Sequence, residues 1–180
     1  MISPWLLSVL RCPTCAQNAA DAGALTRDEG ELRCPSCGTR YALHHDYVDM
    51  RPPVGLSGKE TVYVDADADL DDPAIRPPLL SAGVRQRVLG LMLRPRAGDA
   101  LLDIGCGNGK FAVWNHRAVA HMVGLDPAAR FAEAARASVD LVQGDARALP
   151  FAPGTFSGAY SVDVFEHLDL PGVRAHLSEV

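Results

Sequence analysis

The chain has 180 residues, 48% hydrophobic and 22% charged, a globular composition with room for one medium domain and a small one. Its formal net charge of -5 argues against strong non-specific nucleic-acid binding, which needs many Lys and Arg contacts to phosphate. No apolar run reaches the roughly 18 residues of a membrane span, and no membrane association is expected.

The apolar opening, Ile2 to Leu10, lacks a basic lead and a small-residue cleavage site, so it reads as the first structured piece rather than a leader. The compartment expected is the cytosol, where thiols stay reduced, and the five cysteines are then metal ligands or core thiols. Cys12-Pro13-Thr14-Cys15 and Cys34-Pro35-Ser36-Cys37 are two CxxC turns separated by eighteen residues. Each turn aims two thiolates at one point, and two turns meeting make the four-thiolate site that zinc favours. Redox and iron–sulfur readings suit this pattern less well, and a disulfide reading needs an oxidising compartment. Four protein ligands close the metal shell, so Cys12, Cys15, Cys34 and Cys37 are expected to hold structural zinc, and His44 and His45 read as surface or core histidines. Glu31-Leu32-Arg33 and Gly38-Thr39-Arg40-Tyr41 read as strands of a small β ribbon, which places a zinc ribbon over residues 1–50.

Residues 51–78, with Arg51-Pro52-Pro53 and Arg76-Pro77-Pro78, read as a linker. Residues 79–180 alternate helix-like and strand-like segments. Leu80, Val84, Val88, Leu91 and Met92 repeat at helical spacing, and Pro95 ends that helix. Strands are expected at 100–104, 121–125, 139–142 and 156–162, and helices at 110–119, 128–137 and from Pro171 onward. Such alternation predicts an α/β fold with a parallel sheet covered on both faces.

The chemistry-bearing string of this region is Asp103-Ile104-Gly105-Cys106-Gly107-Asn108-Gly109, which ends a buried strand and opens a helix. Glycine there permits a tight turn and a close backbone approach to a ligand. The spacing is GxGxG, not the GxGxxG that seats a pyrophosphate on a helix N-terminus, and an acid leads it. That suits a cofactor with a sulfonium and an amino acid group better than a dinucleotide.

Leu101 to Gly109 resembles the first motif of class I S-adenosylmethionine-dependent methyltransferases. Val123-Gly124-Leu125-Asp126 resembles their second, Val142-Gln143-Gly144-Asp145-Ala146 their third, and Leu149-Pro150-Phe151 with Phe156 to Val162 the run into the fourth strand. The resemblance covers about residues 79–180. It implies a Rossmann-like sheet of strand order 3-2-1-4 behind the β zinc ribbon, and S-adenosylmethionine as cofactor. The implied cofactor residues are Asp103, Gly105, Cys106, Gly107, Asp126, Pro127, Asp145, Ala146 and Ser161. In the family the acid at Asp126 accepts from both ribose hydroxyls, and the acid at Asp145 reads the adenine amino group.

Simpler roles stand beside these. Asp126 is also placed to cap a helix, Asp145 to sit in a turn, and Cys106 to line the pocket as a small buried side chain. A catalytic base is needed only for a nucleophile of high pKa; Asp163 and His167 are the candidates, and Glu166 with His167 also reads as a helix start.

The ribbon fused ahead of this fold resembles bacterial ribosomal RNA guanine-N1 methyltransferases, yet Arg85, Arg87, Arg94 and Arg96 read as a solvated helix face. The acceptor expected is therefore a small molecule or an RNA base. A complete domain of the family continues with three further strands, whereas this chain stops inside the helix after the fourth. The alternative is a non-catalytic zinc-ribbon binding module with a shortened methyltransferase-like fold.

Overall fold

The computed structural model describes residues 1–16, 24–52 and 79–180. Beyond Arg51 and Pro52, the expected linker lies outside the described residues.

Helix α1 (Pro4–Val9) starts where Ser3 caps it: the Ser3 Oγ accepts from the Leu6 N–H at 3.0 Å, and Pro4 fills the first turn. Ser3 also donates from its N–H and hydroxyl to the Asp140 carboxylate, at 2.9 and 2.5 Å, which ties this helix to a distant strand. The short helix α2 (Pro13–Ala16) carries the first CxxC turn. Strands β1 (Thr26–Asp28), β2 (Glu31–Arg33) and β3 (Arg40–Ala42) form an antiparallel ribbon in which Leu32 faces Tyr41.

The chain then leaves the ribbon as β4 (Val48–Asp49) and enters the second sheet. Helix α3 (Leu79–Leu93) precedes β5 (Ala100–Ile104), α4 (Lys110–Asn115), β6 (His121–Asp126), α5 (Glu133–Ser138), β7 (Asp140–Gln143), β8 (Gly158–Ser161) and α6 (Leu170–Glu179). The sheet is parallel, ordered β4-β7-β6-β5-β8. Counted from β5, this is the expected order 3-2-1-4. The ribbon's exit segment adds a fifth strand outside the third, with Val48 opposite Val142 and Asp49 opposite Gln143.

The strands are buried on both faces, and their side chains alternate between two cores. Leu102, Ile104, Val123, Leu125 and Val142 pack with Leu6, Leu10, Cys12, Leu32, Tyr41, Val48 and Met50. Leu101, Met122, Leu141 and Tyr160 pack with Ala112, Phe131 and Ala135 on the other side, with Leu89 and Leu93 of α3 against them. The N-terminal helix and the ribbon thus cover one face of the sheet, and α3, α4 and α5 the other. Burying a leucine such as Leu6 or Leu10 is worth roughly 1.5–3 kcal/mol, so the ribbon and the sheet stabilise one another directly. Trp5 adds a ring stacked on His121, with centroids 3.9 Å apart, and the Arg11 N–H donates to the Pro150 carbonyl at 2.9 Å.

Two expected helices are shorter than their composition suggests. The helix expected over 110–119 is α-helical only to Asn115, then a 3-10 turn over His116–Ala118; Asn115 is drawn back to the Phe111 carbonyl and to Gln86 of α3. The helix expected over 128–137 begins only at Glu133, because Ala132 is extended and residues 127–132 are held as a loop by side-chain and backbone hydrogen bonds. Helix α6 forms as expected, capped by Asp169, whose Oδ1 accepts from the Gly172 N–H at 2.8 Å.

Candidate cofactor and metal sites

The two CxxC turns meet on the ribbon. The Sγ atoms of Cys12, Cys15, Cys34 and Cys37 lie within 4.8 Å of one another, with Cys12 to Cys37 at 3.6 Å and Cys15 to Cys34 at 3.7 Å. Four thiolates about 2.3 Å from a tetrahedral zinc stand about 3.8 Å apart, whereas a disulfide needs about 2.05 Å. The donor set and the spacing both fit zinc. Polar neighbours orient the sulfurs: the Tyr41 hydroxyl is 3.1 Å from the Cys12 Sγ, and the Thr39 hydroxyl 3.1 Å from the Cys37 Sγ. Cys12 and Cys34 are buried in the core shared with the large sheet. His44 stays outside the cluster and stacks on Tyr47 at 4.2 Å.

The carboxyl ends of β5, β6, β7 and β8 open onto a cavity of about 370 Å³. Asp103, Gly105, Cys106 and Gly107 line it from the first crossover, Asp126 and Pro127 from the second, Asp145 and Ala146 from the third, and Asp163 and His167 from the fourth. Ser161 is the exception among the expected cofactor residues: it is not part of the cavity wall, and its Oγ is buried without a hydrogen-bond partner among the described residues. Glu166 is also absent from the lining.

The glycine loop is shaped by contacts that a side chain would block. Gly105 has φ +73°, and a Cβ there would stand 2.2 Å from the Val164 Cγ2; at Gly109, with φ +86°, it would stand 2.6 Å from the Ala135 Cβ. The Gly105 and Cys106 N–H groups both donate to the Leu125 carbonyl, at 2.8 and 3.0 Å, which fixes the loop to the end of β6. Asp126 completes the tie: its Oδ2 accepts from the Gly107 N–H at 2.8 Å and its Oδ1 from the Ala128 N–H at 2.9 Å. Burial raises its pKa, while those two N–H groups, Arg130 and His167 pull it back.

Asp145 is gripped by its own turn. The Arg147 guanidinium donates to both carboxylate oxygens and the Arg147 N–H donates to Oδ1 at 2.9 Å. Helix α6 holds the rest of this crossover, with the His176 ring nitrogen 3.0 Å from the Ala146 carbonyl and Glu179 accepting from the Leu149 N–H at 2.9 Å.

Asp103 is buried, and its Oδ2 has no partner of hydrogen-bond geometry among the described residues. Burial, with the Asp126 charge adding to it, pushes its carboxyl up from 3.8 to about 7. A carboxyl raised on folding favours the native state while it keeps its proton and loses that advantage as pH rises through the folded value. Wild-type stability, read from urea denaturation, is expected to fall by about 1.4 kcal/mol per pH unit from this group between roughly pH 4 and 7. Asp103→Asn should remove that slope, so the variant gains on wild type as pH rises. Parallel stability curves for the two proteins would contradict the assignment.

Several wall residues were not singled out in the sequence. Arg85, read there as part of a solvated helix face, lines the cavity and pairs with the Asp163 carboxylate, which sits at φ +57°. No local signal marks it, because the pairing spans 78 residues. Lys110 and Phe111 follow the glycine loop directly and were legible from that adjacency; Ala128 and Arg130 follow Asp126 in the same way.

Residues 101–180 match the family described as methyltransferase domain, and residues 3–44 match the family of Trm112p-like proteins. Residues 101–180 are thus similar to a methyltransferase domain, behind an N-terminal segment similar to Trm112p-like proteins that carries the four-cysteine cluster. The chain is 32% identical over 110 residues to the O-methyltransferase rstn1 of Aspergillus nomiae, covering 55% of this chain and 49% of that one. It is 39% identical over 83 residues to a ubiquinone biosynthesis O-methyltransferase of Azorhizobium caulinodans, covering 42% and 33%. The chain thus spans about half or less of the length of these relatives. Among solved structures it is similar to magnesium protoporphyrin IX methyltransferase from Synechocystis PCC 6803 with bound SAH, at 16% identity and TM-score 0.48 over 67% of this chain and 66% of that one.

Proposed function

We propose that the cavity binds S-adenosylmethionine and that the protein transfers its methyl group to the oxygen of a small-molecule acceptor. The observation that carries this is the convergence of Asp126 and Asp145 with the glycine loop on one cavity at the carboxyl ends of adjacent parallel strands. In this reading Asp126 accepts from the ribose hydroxyls, Asp145 accepts from the adenine amine, and the Asp103 carboxyl faces the amino acid end. S-adenosylmethionine supplies a methyl group already activated on a sulfonium, so the protein contributes chiefly position and water exclusion.

His167 is the residue we assign to take the acceptor's proton. The Asp163 carboxylate is engaged by Arg85 and serves to hold that cation at the rim. Oxygen as the nucleophile is supported by relatives whose names are O-methyltransferases. An RNA base is the second acceptor class, supported only by the ribbon's resemblance and opposed by the net charge of -5. No helix among the described residues is long and apolar enough to cross a membrane, and we place the chain in the cytoplasm because its thiolate cluster requires reduced cysteines.

Calorimetric titration with S-adenosylhomocysteine tests the reading. Micromolar affinity at one site per chain is expected. A zinc-replete, folded protein that shows no binding heat and no competition at millimolar ligand would remove the enzyme reading and leave the ribbon-bearing binding module.

A further inference from the structure

The segment between β6 and α5 forms part of the cavity wall through Pro127, Ala128 and Arg130. By composition it belongs in a helix. Residues 128–137 contain six alanines and no glycine or proline, so helix propensity favours winding the whole segment. Winding would alter the position of the Ala128 N–H, which now donates to the Asp126 carboxylate. Contacts made from beyond residue 132 hold residues 127–132 open.

Arg136 is placed to do so. Its Nε donates to the Phe131 carbonyl at 2.9 Å and its Nη2 to the Ala129 carbonyl at 3.0 Å, so both carbonyls are occupied by a side chain. Its Nη1 donates to the Asp46 carboxylate at 2.7 Å, and its guanidinium lies 5.6 Å from the centroids of both the Tyr47 and Phe131 rings. A planar fork with fixed donor directions makes these contacts together, which a lysine cannot. Asp46 and Tyr47 belong to the ribbon's exit turn, itself fixed by the His44 N–H donating to the Tyr47 carbonyl at 3.0 Å and by β4 pairing with β7. On the cavity side the Ala132 N–H donates to the Asn108 carbonyl of the glycine loop, and the Gln143 Nε2 to the Pro127 carbonyl.

We propose that Arg136, anchored by Asp46 and Tyr47, is a positioning residue for the nucleoside end of the cavity, so that the ribbon's exit turn sets ligand affinity without touching the ligand. The half-buried Asp46–Arg136 ion pair contributes modest stability by itself; its consequence is the shape of residues 127–132. This rests on the S-adenosyl reading of the cavity.

The test titrates S-adenosylhomocysteine, and adenosine as competitor, into zinc-replete wild type, Arg136→Ala, Arg136→Lys and the milder Asp46→Asn, well below each melting temperature. Amide exchange of residues 127–132 is followed in the same samples. Arg136→Ala and Arg136→Lys are expected to weaken both ligands by a similar factor of about tenfold or more, with Asp46→Asn in between and exchange accelerated in 127–132. Affinities equal to wild type, full rescue by lysine, or a loss confined to the homocysteine end would overturn the proposal. If wild type binds no S-adenosylhomocysteine, the cavity reading is what fails; unchanged exchange in Arg136→Ala then overturns the clamp as well, and accelerated exchange upholds it as the device that keeps 127–132 open.

Discussion

Replacing Cys34 with serine, or stripping metal with a strong chelator, is expected to destabilise the whole described fold and not the ribbon alone. Cys12 and Cys34 are 0% and 1% exposed and share a core with Leu102, Val123 and Val142 of the large sheet. Structural zinc sites in small peptides are worth about 10–16 kcal/mol of apparent binding free energy, which is folding free energy where no site exists in the unfolded chain. A domain's net stability is only about 5–15 kcal/mol. Losing even about 5 kcal/mol would lower the melting temperature by roughly 10–20 °C in a chain of this size. Leu6, Leu10, Val48 and Met50 would lose their packing as the ribbon loosens, so the sheet should follow. Scanning calorimetry with metal analysis measures this. A main transition that stays in place while a small ribbon transition melts separately would show that the two parts are energetically independent.

Asp126→Ala is expected to reduce S-adenosylhomocysteine affinity by about 100-fold or more, with a moderate loss of stability. Hydrogen bonds to a charged acceptor are worth about 1.5–3 kcal/mol each, so two lost ribose contacts account for that factor. The alanine also releases the Gly107 and Ala128 N–H groups, which costs about 1–3 kcal/mol for each one left buried and unpaired. Removing a carboxylate that burial disfavours offsets part of that cost. Asp126→Asn keeps one acceptor oxygen and should lose about tenfold, one such contact. The raised pKa fixes the sign of the pH dependence. As pH falls and the carboxylate takes up its proton, wild-type affinity should drop, whereas Asp126→Ala should lack this contribution. Calorimetry across pH checks both statements, and an alanine variant that binds within about threefold of wild type would remove Asp126 from the site.

Much of the site was legible because its chemistry is local in the chain. Each CxxC turn is complete within four residues. The glycine loop announces itself by residues that only a tight turn requires, as the φ of +73° at Gly105 and the Val164 contact bear out. Asp126 and Asp145 stand at strand ends, where alternation of strand and helix already puts ligand-facing residues. Arg85 and Arg136 were not legible, since their meaning lies in partners 78 and 90 residues away. Ser161 shows the converse. Its place at the end of the fourth strand suggested a cofactor contact, yet the Oγ is buried away from the cavity lining, because neighbouring strand residues point to opposite faces.

By itself the amino-acid order determined the four-thiolate cluster, the sequence of strands and helices from β5 onward, and the glycine loop that ends β5. Each depends on short-range spacing or on periodic burial. Tertiary structure alone decided that the ribbon's exit becomes the fifth strand. Two residues carry no period, and Val48–Asp49 is a strand only because the open edge of β7 offers its hydrogen bonds. It also decided that residues 128–132 are loop and not helix, where Arg136 and its distant partner Asp46 outweigh the propensity of alanine.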